Sequence, residues 1–140
     1  MKYTYLVFLS LIFIACGDDV ADMTVEEYIA VNNLTTMELD EGVHIIINDA
    51  GNDVKPHSNS MVEVNYVGEL TNGVQFDSGS NITFQMTNLI QGWKIGLKEL
   101  GEGGSCKLIV PPGAGYGSNK VGIIPANSVL VFDMDLLKVK

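Results

Sequence analysis

Basic residues are scarce in this sequence, and arginine is absent. The 140 residues contain eight lysines against 17 aspartates and glutamates, which gives a formal net charge of −9. Proteins that bind nucleic acids neutralise phosphate groups with basic patches. The charge balance therefore argues against nucleic acid as a partner.

Cysteine, histidine and long apolar runs are also scarce. Two cysteines and two histidines lie far apart in the chain, so little material is available for a structural zinc site, and nothing in the sequence indicates a cofactor. No segment reaches the roughly 20 apolar residues that span a bilayer as a helix. Aromatic and branched residues are nevertheless frequent enough for a packed core, and the length suits a single domain.

Residues 1–15 are typical of a signal peptide for export. Lys2 supplies a positive charge, an apolar stretch follows, and Ala15 directly precedes Cys16. This ending resembles a bacterial lipobox, in which the cysteine becomes the new N-terminus and its thiol carries lipid. We therefore expect lipid attachment at Cys16. The lipid would anchor the protein in the bacterial cell envelope, on the periplasmic or the surface face of the outer membrane. The alternative is a short buried helix with an incidental cysteine.

Residues 16–41 are interpreted as a tether followed by a short helix. Asp18 and Asp19 act either as a signal for export to the surface or as a solvated tether. Thr24 and Glu27 match a capping box, and apolar residues at helical spacing follow them, so a short helix is expected there. This helix either docks on the domain or merely spaces it from the membrane. It is too short to resemble a long dimerisation helix, and we expect a monomer.

From residue 42 onward the pattern changes to strands and hairpins. The predicted strands cover residues 43–47, 61–70, 74–77, 82–86, 105–110 and 129–139. Trp93, Leu97 and Leu100 recur at helical spacing and predict one short helix over residues 92–100. One helix among five or six strands linked by hairpins predicts an α+β domain over residues 42–140. We expect a curled, mostly antiparallel sheet wrapped around the helix.

Familiar catalytic sets are missing from the sequence. His44 lies in a predicted strand and His57 follows a proline in a turn, so both are interpreted as surface or edge residues. Cys106 alternates with apolar strand residues and is expected to be buried, although a redox role is an alternative. The glycine-rich stretch 113–117 lacks the lysine and the following helix of a phosphate-binding loop. Aromatic and branched residues beside the turns are most simply core residues, but together they could line an apolar pocket.

Six segments in register resemble the FK506-binding-protein (FKBP-type) peptidyl-prolyl cis-trans isomerases. They are VNYVG at 64–68, GVQFDS at 73–78, LIQGW at 89–93, AGYG at 114–117, GIIP at 122–125 and LVFD at 130–133. The resemblance covers about residues 42–140. Within the family, residues 83–90 are most similar to the macrophage infectivity potentiator branch of bacterial lipoproteins.

The resemblance implies a proline pocket and assigns a role to each of its residues. Trp93 would be the floor, and the walls would be Tyr66, Phe84, Leu89 and Phe132. Phe76 would close one side, and Ile123 and Ile124 would come from the loop above. The Ile90 N–H and the Tyr116 hydroxyl would donate to substrate carbonyls. Asp77, partnered by Tyr66, would lie beside the amide, so the implied catalytic groups are Asp77, Tyr116 and Tyr66.

The resemblance also implies proline-containing polypeptides as substrates and macrolides such as FK506 and rapamycin as ligands. The loop between Tyr116 and Ile123 is short and lacks the histidine of many eukaryotic members, and Ile82 competes with Phe84 for one wall position. The leading hypothesis is an isomerase that assists the folding of exported proteins. A lipid-anchored binding or chaperone module with little turnover, and a surface adhesin that reuses the fold, are the alternatives.

Overall fold

The computed structural model describes residues 23–140 of the chain. The predicted signal peptide over residues 1–15, the acidic pair Asp18 and Asp19, and the predicted lipid attachment site Cys16 lie outside the described residues. Over residues 23–140, no helix is both long enough and apolar enough to cross a bilayer.

Six strands and two α-helices make up the described chain. In order they are α1 (Val25–Val31), β1 (Met37–Glu38), β2 (His44–Asp49), β3 (Met61–Leu70), β4 (Gln75–Gln85), α2 (Gln91–Leu97), β5 (Ser105–Val110) and β6 (Leu130–Val139). The strands form one sheet in the order β1-β2-β5-β6-β3-β4, and every neighbouring pair is antiparallel. The predicted α+β fold is therefore confirmed.

The main core lies between the inner face of the sheet and α2. Alternate residues of the central strands are buried there, because successive side chains of a strand point to opposite faces. Trp93 and Leu97 of α2 pack against them. Gly92 and Gly96 allow this close approach, since a Cβ at either position would lie within 2.5 Å of a Val110 or Leu108 side-chain carbon.

The edge strand β4 differs from its prediction. The sequence predicted two short strands at 74–77 and 82–86, whereas the structure has one strand from Gln75 to Gln85. The register with β3 shifts near Asn81, whose φ is 54° and whose N–H donates to Asn65 Oδ1 at 2.9 Å. A β-bulge of this kind inserts one extra residue and bends the strand. The polar bulge residues interrupt the alternation on which the prediction depended.

A second bulge in β4 explains the unusual placement of Phe76. Gly68 pairs with Asp77 and Glu69 pairs with Gln75, so Phe76 is the extra residue. In a regular strand, neighbouring side chains point to opposite faces. The extra residue releases this constraint, and Phe76 and Asp77 both line the same cavity. The bulge thus supplies an apolar wall and a carboxylate to one site.

Helix α1 docks on the outer face of the sheet. The predicted capping box is present, because Thr24 Oγ1 accepts from the Glu27 N–H at 3.2 Å and Glu27 Oε2 accepts from the Thr24 N–H at 2.8 Å. Val25 packs against Ile109 of β5 and Val129. Of the two alternatives for this helix, docking is therefore the one observed. Strand β1, which the sequence did not predict, pairs with β2 and lies before residue 42.

Candidate functional site

An aromatic cavity of about 260 Å³ opens between the bulged strand β4, α2 and the loop after β5. It is lined by Tyr66, Phe76, Asp77, Phe84, Asn88, Leu89, Ile90, Trp93, Tyr116 and Phe132. A larger concavity of about 630 Å³ lies on the outer face of the sheet, and its lining is mostly polar. Only the smaller cavity combines apolar rings with a few convergent polar groups, which is the usual character of a binding site.

The Trp93 ring is the centre of the aromatic cluster. Its ring centroid lies 5.0 Å from Tyr66, 5.3 Å from Phe132 and 5.8 Å from Phe84, with interplanar angles between 77° and 88°. Edge-to-face packing of this kind is favourable beyond the area it buries. Three rings from three different strands therefore hold the indole in place.

The indole nitrogen of Trp93 is a buried donor without a partner. No hydrogen-bond acceptor for Nε1 occurs in the described part of the chain. A buried donor left unpaired costs about 1–3 kcal/mol. An acceptor that reached this nitrogen would recover that free energy.

The Asp77 carboxylate is fixed through both of its oxygens. The Tyr66 hydroxyl donates to Oδ2 at 2.9 Å, and the Ser78 N–H donates to Oδ1 at 2.8 Å. Hydrogen bonds to a carboxylate are charge-assisted and stronger than neutral ones. A negative charge is thus held at one position in the wall of an otherwise apolar cavity.

The two tyrosine hydroxyls of the site remain protonated at neutral pH. Burial, and then the hydrogen bond and charge of Asp77, raise the pKa of Tyr66 to about 12. Burial and then the charge of Asp77 also raise the pKa of Tyr116. The Tyr66 hydroxyl already donates to Asp77, whereas the Tyr116 hydroxyl has no hydrogen-bond partner within residues 23–140. Tyr116 is therefore the free hydroxyl donor of the cavity.

A backbone donor is available at the start of α2. Ile90 is the N-cap residue of this helix, and its carbonyl accepts from the N–H groups of Trp93 and Lys94. The first N–H groups of a helix have no partner within the helix. No acceptor for the Ile90 N–H is found among the described residues. The cavity therefore offers one backbone donor and one hydroxyl donor.

A second cavity of about 180 Å³ adjoins the first. It shares Phe76, Asp77 and Tyr116 with the aromatic cavity, and the loop after β5 adds Val121, Gly122, Ile123 and Ile124. The loop is closed on itself by paired hydrogen bonds between Val121 and Ile124, at 3.1 and 2.9 Å. Ile124 is buried in the core, whereas Ile123 is 59% exposed at the mouth.

The structure brings together every residue that the sequence assigned to the pocket. Nine of them line the aromatic cavity, while Ile123 and Ile124 line only the adjoining one. Phe84 lies in the wall, and the competing Ile82 lines neither cavity. Sequence reasoning missed Asn88, an exposed residue whose position follows only from the 3₁₀ turn Met86–Asn88 before α2.

Other chemistry finds little support in the described chain. Residues 23–140 contain no group of three or more His, Cys, Asp or Glu side chains placed to hold a metal ion. Cys106 is buried, as predicted, and burial raises the pKa of its thiol to about 12. A reactive cysteine needs a lowered pKa and access to solvent. His44 bonds to the Thr36 hydroxyl at 2.8 Å and lines neither cavity.

Comparisons with known proteins agree with this geometry. The family model for FKBP-type peptidyl-prolyl cis-trans isomerase matches residues 52–137. The chain is 47% identical over 94 residues to the FKBP-type peptidyl-prolyl cis-trans isomerase FkpA of Buchnera aphidicola subsp. Schizaphis graminum, covering 64% of this chain and 37% of that protein. It is 43% identical over 96 residues to FkpA of Escherichia coli K12, covering 66% and 36%.

The likeness extends to three dimensions. The crystal structure of FkpA from Escherichia coli matches with a TM-score of 0.77 and 36% identity, covering 82% of this chain and 57% of that one. The chain spans less than two fifths of the length of the two curated relatives. Because the family model matches well over half of the residues, the chain belongs to the FKBP-type peptidyl-prolyl cis-trans isomerase family.

Proposed function

We propose that this protein is a peptidyl-prolyl cis-trans isomerase that assists the folding of exported proteins. The observation that carries the proposal is the aromatic cavity, in which two free donors and one fixed carboxylate surround a tryptophan floor. Proline-containing polypeptides are the substrates. Macrolides such as FK506 are the expected inhibitors, because the family resemblance implies that they occupy the same cavity.

The reaction is rotation about the peptide bond that precedes a proline. Its barrier is about 18–20 kcal/mol, because the amide loses resonance when it twists. The uncatalysed reaction takes tens to hundreds of seconds, which is slow enough to limit folding. No covalent bond breaks in this reaction. The site therefore requires neither a nucleophile nor a metal, and an apolar cavity with positioned dipoles suits it.

The cavity lowers the barrier first by excluding water. In the proposed complex the proline ring rests on the Trp93 indole, against which the rings of Tyr66, Phe84 and Phe132 pack edge-to-face. A twisted amide is less polar than a planar one, so transfer from water to an apolar wall favours the twisted form. Binding that is stronger for the transition state than for the ground state is what accelerates a reaction.

The polar groups then stabilise the twisted geometry. The Ile90 N–H and the Tyr116 hydroxyl donate to carbonyls of the substrate and orient the chain on each side of the proline. The Asp77 carboxylate, fixed by Tyr66 and Ser78, acts on the charge distribution of the twisted amide. Fixed dipoles act without reorganising during the reaction. Each 1.4 kcal/mol removed from the barrier accelerates rotation about tenfold.

We also propose that residues 1–15 are removed and that Cys16 carries lipid, which anchors the protein to a membrane of the cell envelope. The isomerase domain covers residues 42–140, and the protein is a monomer. The apolar stretch that ends at Ala15 and Cys16 supports this proposal. Mass spectrometry of the protein from bacterial membranes tests it. A lipidated N-terminal Cys16 is expected, and an intact Met1 or an unmodified Cys16 would contradict it.

The folding function is tested by refolding a protein whose slow phase is limited by prolyl isomerisation. Catalytic amounts of the protein should accelerate that phase, and FK506 should remove the acceleration. A binding module without turnover would instead slow or arrest refolding in proportion to its concentration. The exposed Ile123 and Val121 at the cavity mouth are the feature that favours this second function.

A further inference from the structure

The outer face of β5 contains one completely buried residue. Cys106, Leu108 and Val110 point into the main core, so the intervening Ile109 faces outward. Ile109 is nevertheless 0% exposed, because it lies beneath α1 together with Val25 and Val129. These three residues form a small second core that is separate from the main core behind the aromatic cavity.

This second core lies at the two ends of the loop that connects β5 to β6, residues 111–129. The pairing of β5 with β6 stops at Val110 and Leu130, and the intervening segment 111–129 carries Tyr116, Ile123 and Ile124. Ile109 precedes this segment closely, and Val129 is its last residue. Helix α1 therefore contacts β5 one pair before the β5–β6 pairing ends, through Ile109, and contacts the last residue of the loop, Val129.

The beginning of α1 also shares a cavity with both ends of this loop. A cavity of about 340 Å³ is lined by Val25 of the helix together with Pro111, Pro112, Asn127 and Val129. Pro112 and Asn127 are hydrogen-bonded to a common residue: Gly117 N–H donates to the Pro112 carbonyl at 2.8 Å, and Asn127 N–H donates to the Gly117 carbonyl at 2.8 Å. Gly117 is the neighbour of Tyr116.

We infer that α1 acts as a clamp that holds together the two ends of the loop 111–129. The clamp thereby positions the Tyr116 hydroxyl at the aromatic cavity. This inference rests on the proposed function. Val25 is the positioning residue of the clamp, since it is the buried side chain of the helix. A loosened clamp leaves the cavity intact but broadens the positions of Tyr116, and misplacement of a catalytic group by even 1 Å lowers rates severely.

The test compares Val25→Ala with Val31→Ala in the full-length protein. Val31 lies on the same helix and is 68% exposed, so its truncation controls for a change in helix propensity. At a temperature at which each variant is fully folded, V25A should lower kcat/KM roughly tenfold, mainly through kcat. V31A should keep the activity of the unmodified protein, and Val25→Ile should retain most of it.

Amide hydrogen exchange distinguishes a local effect on the loop from a general loss of stability. In V25A, the amides of Gly117 and Asn127 should exchange faster, while those of the β3–β6 pairing keep their protection. Unchanged kcat/KM in folded V25A, or faster exchange spread evenly over the sheet, would overturn the clamp. If V25A does not fold, Ile29→Ala removes a partly buried contact of the same small core and takes its place.

The clamp and the proposed function fail in distinguishable ways. A protein without isomerase activity in any variant would contradict the proposed function alone. Selective exchange of the loop amides in V25A would still support the clamp in that case. Full activity in the unmodified protein and in V25A, with equal loop protection, would contradict the clamp alone.

Discussion

The Tyr66 hydroxyl donates a 2.9 Å hydrogen bond to the Asp77 carboxylate across the β3–β4 pair. Tyr66 also packs its ring 5.0 Å from that of Trp93, so one side chain connects the charged wall of the cavity to its apolar floor. The bulge at Phe76 brings Asp77 to this side of the sheet. The position of the negative charge is thus fixed by strand geometry and by the half-buried phenol of Tyr66.

Replacing Asp77 tests the electrostatic part of the mechanism. Asp77→Ala removes the carboxylate and should lower kcat/KM about tenfold, since 1.4 kcal/mol of lost transition-state stabilisation corresponds to that factor. Macrolide affinity should change less, because the aromatic floor remains. Tyr66→Phe should give a smaller loss, as it frees the carboxylate without removing it. A D77A variant with an unaltered rate would refute the role assigned to this charge.

Replacing Tyr116 by phenylalanine tests the hydroxyl donor. The ring stays, and the lost hydroxyl has no partner within the described chain, so the thermal midpoint should change little. The rate constant for catalysed isomerisation should fall by roughly twofold to tenfold, the equivalent of one hydrogen bond worth about 0.5–1.5 kcal/mol. Equal rates for Y116F and the unmodified protein would show that this hydroxyl does not contact the substrate.

Truncating Trp93 should damage both binding and stability. It is a buried ring that contacts three others, so Trp93→Ala should lower the free energy of unfolding by about 3–5 kcal/mol and remove macrolide binding. Urea unfolding followed by circular dichroism measures the first effect. The matched control is Ile82→Ala, an exposed residue outside both cavities, which should alter neither quantity. Retained macrolide affinity in W93A would place the ligand elsewhere.

Stability should decrease in alkaline solution. Burial raises the pKa of Cys106 from 9.0 to about 12, and burial with the Asp77 hydrogen bond raises the pKa of Tyr66 from 10.0 to about 12. A folded-state pKa above the unfolded one gives stability that is complete below the unfolded pKa and lost as pH rises through the folded one. The loss should therefore begin above pH 9 and continue to about pH 12.

Urea unfolding at several pH values between 8 and 11.5 measures this dependence. Cys106→Ala is less stable at pH 8 because it leaves a cavity, but its free energy of unfolding should fall less steeply above pH 9. Parallel pH curves for C106A and the unmodified protein would show that the thiol does not contribute to the alkaline loss.

Local patterns predicted the regular parts of the fold. Strands β3 and β5 have the predicted bounds, because alternation along a strand is a property of its own residues. The bulges at Phe76 and Asn81 were not predicted, since they depend on the register with β3. Strand β1 was missed because two residues give no periodicity. The docking of α1 stayed open because its partners, Ile109 and Val129, are distant in sequence.

The candidate site was predicted through resemblance more than through physics. Six short motifs in register indicated which aromatic residues share a cavity, whereas composition and spacing alone indicated only a possible apolar pocket. The motifs did not predict Asn88 in the lining, nor the separation of Ile123 and Ile124 into an adjoining cavity. Those features depend on the 3₁₀ turn before α2 and on the closed loop after β5.

The proposed function requires that the aromatic cavity accelerates rotation about a prolyl bond. Its most direct test is the rate of cis-to-trans isomerisation of an Xaa-Pro peptide with the purified protein, measured with and without FK506. Acceleration should rise in proportion to protein concentration and should be lost when FK506 saturates the cavity. No acceleration by a folded protein that still binds FK506 would contradict the proposed function, and the cavity would then serve recognition without catalysis.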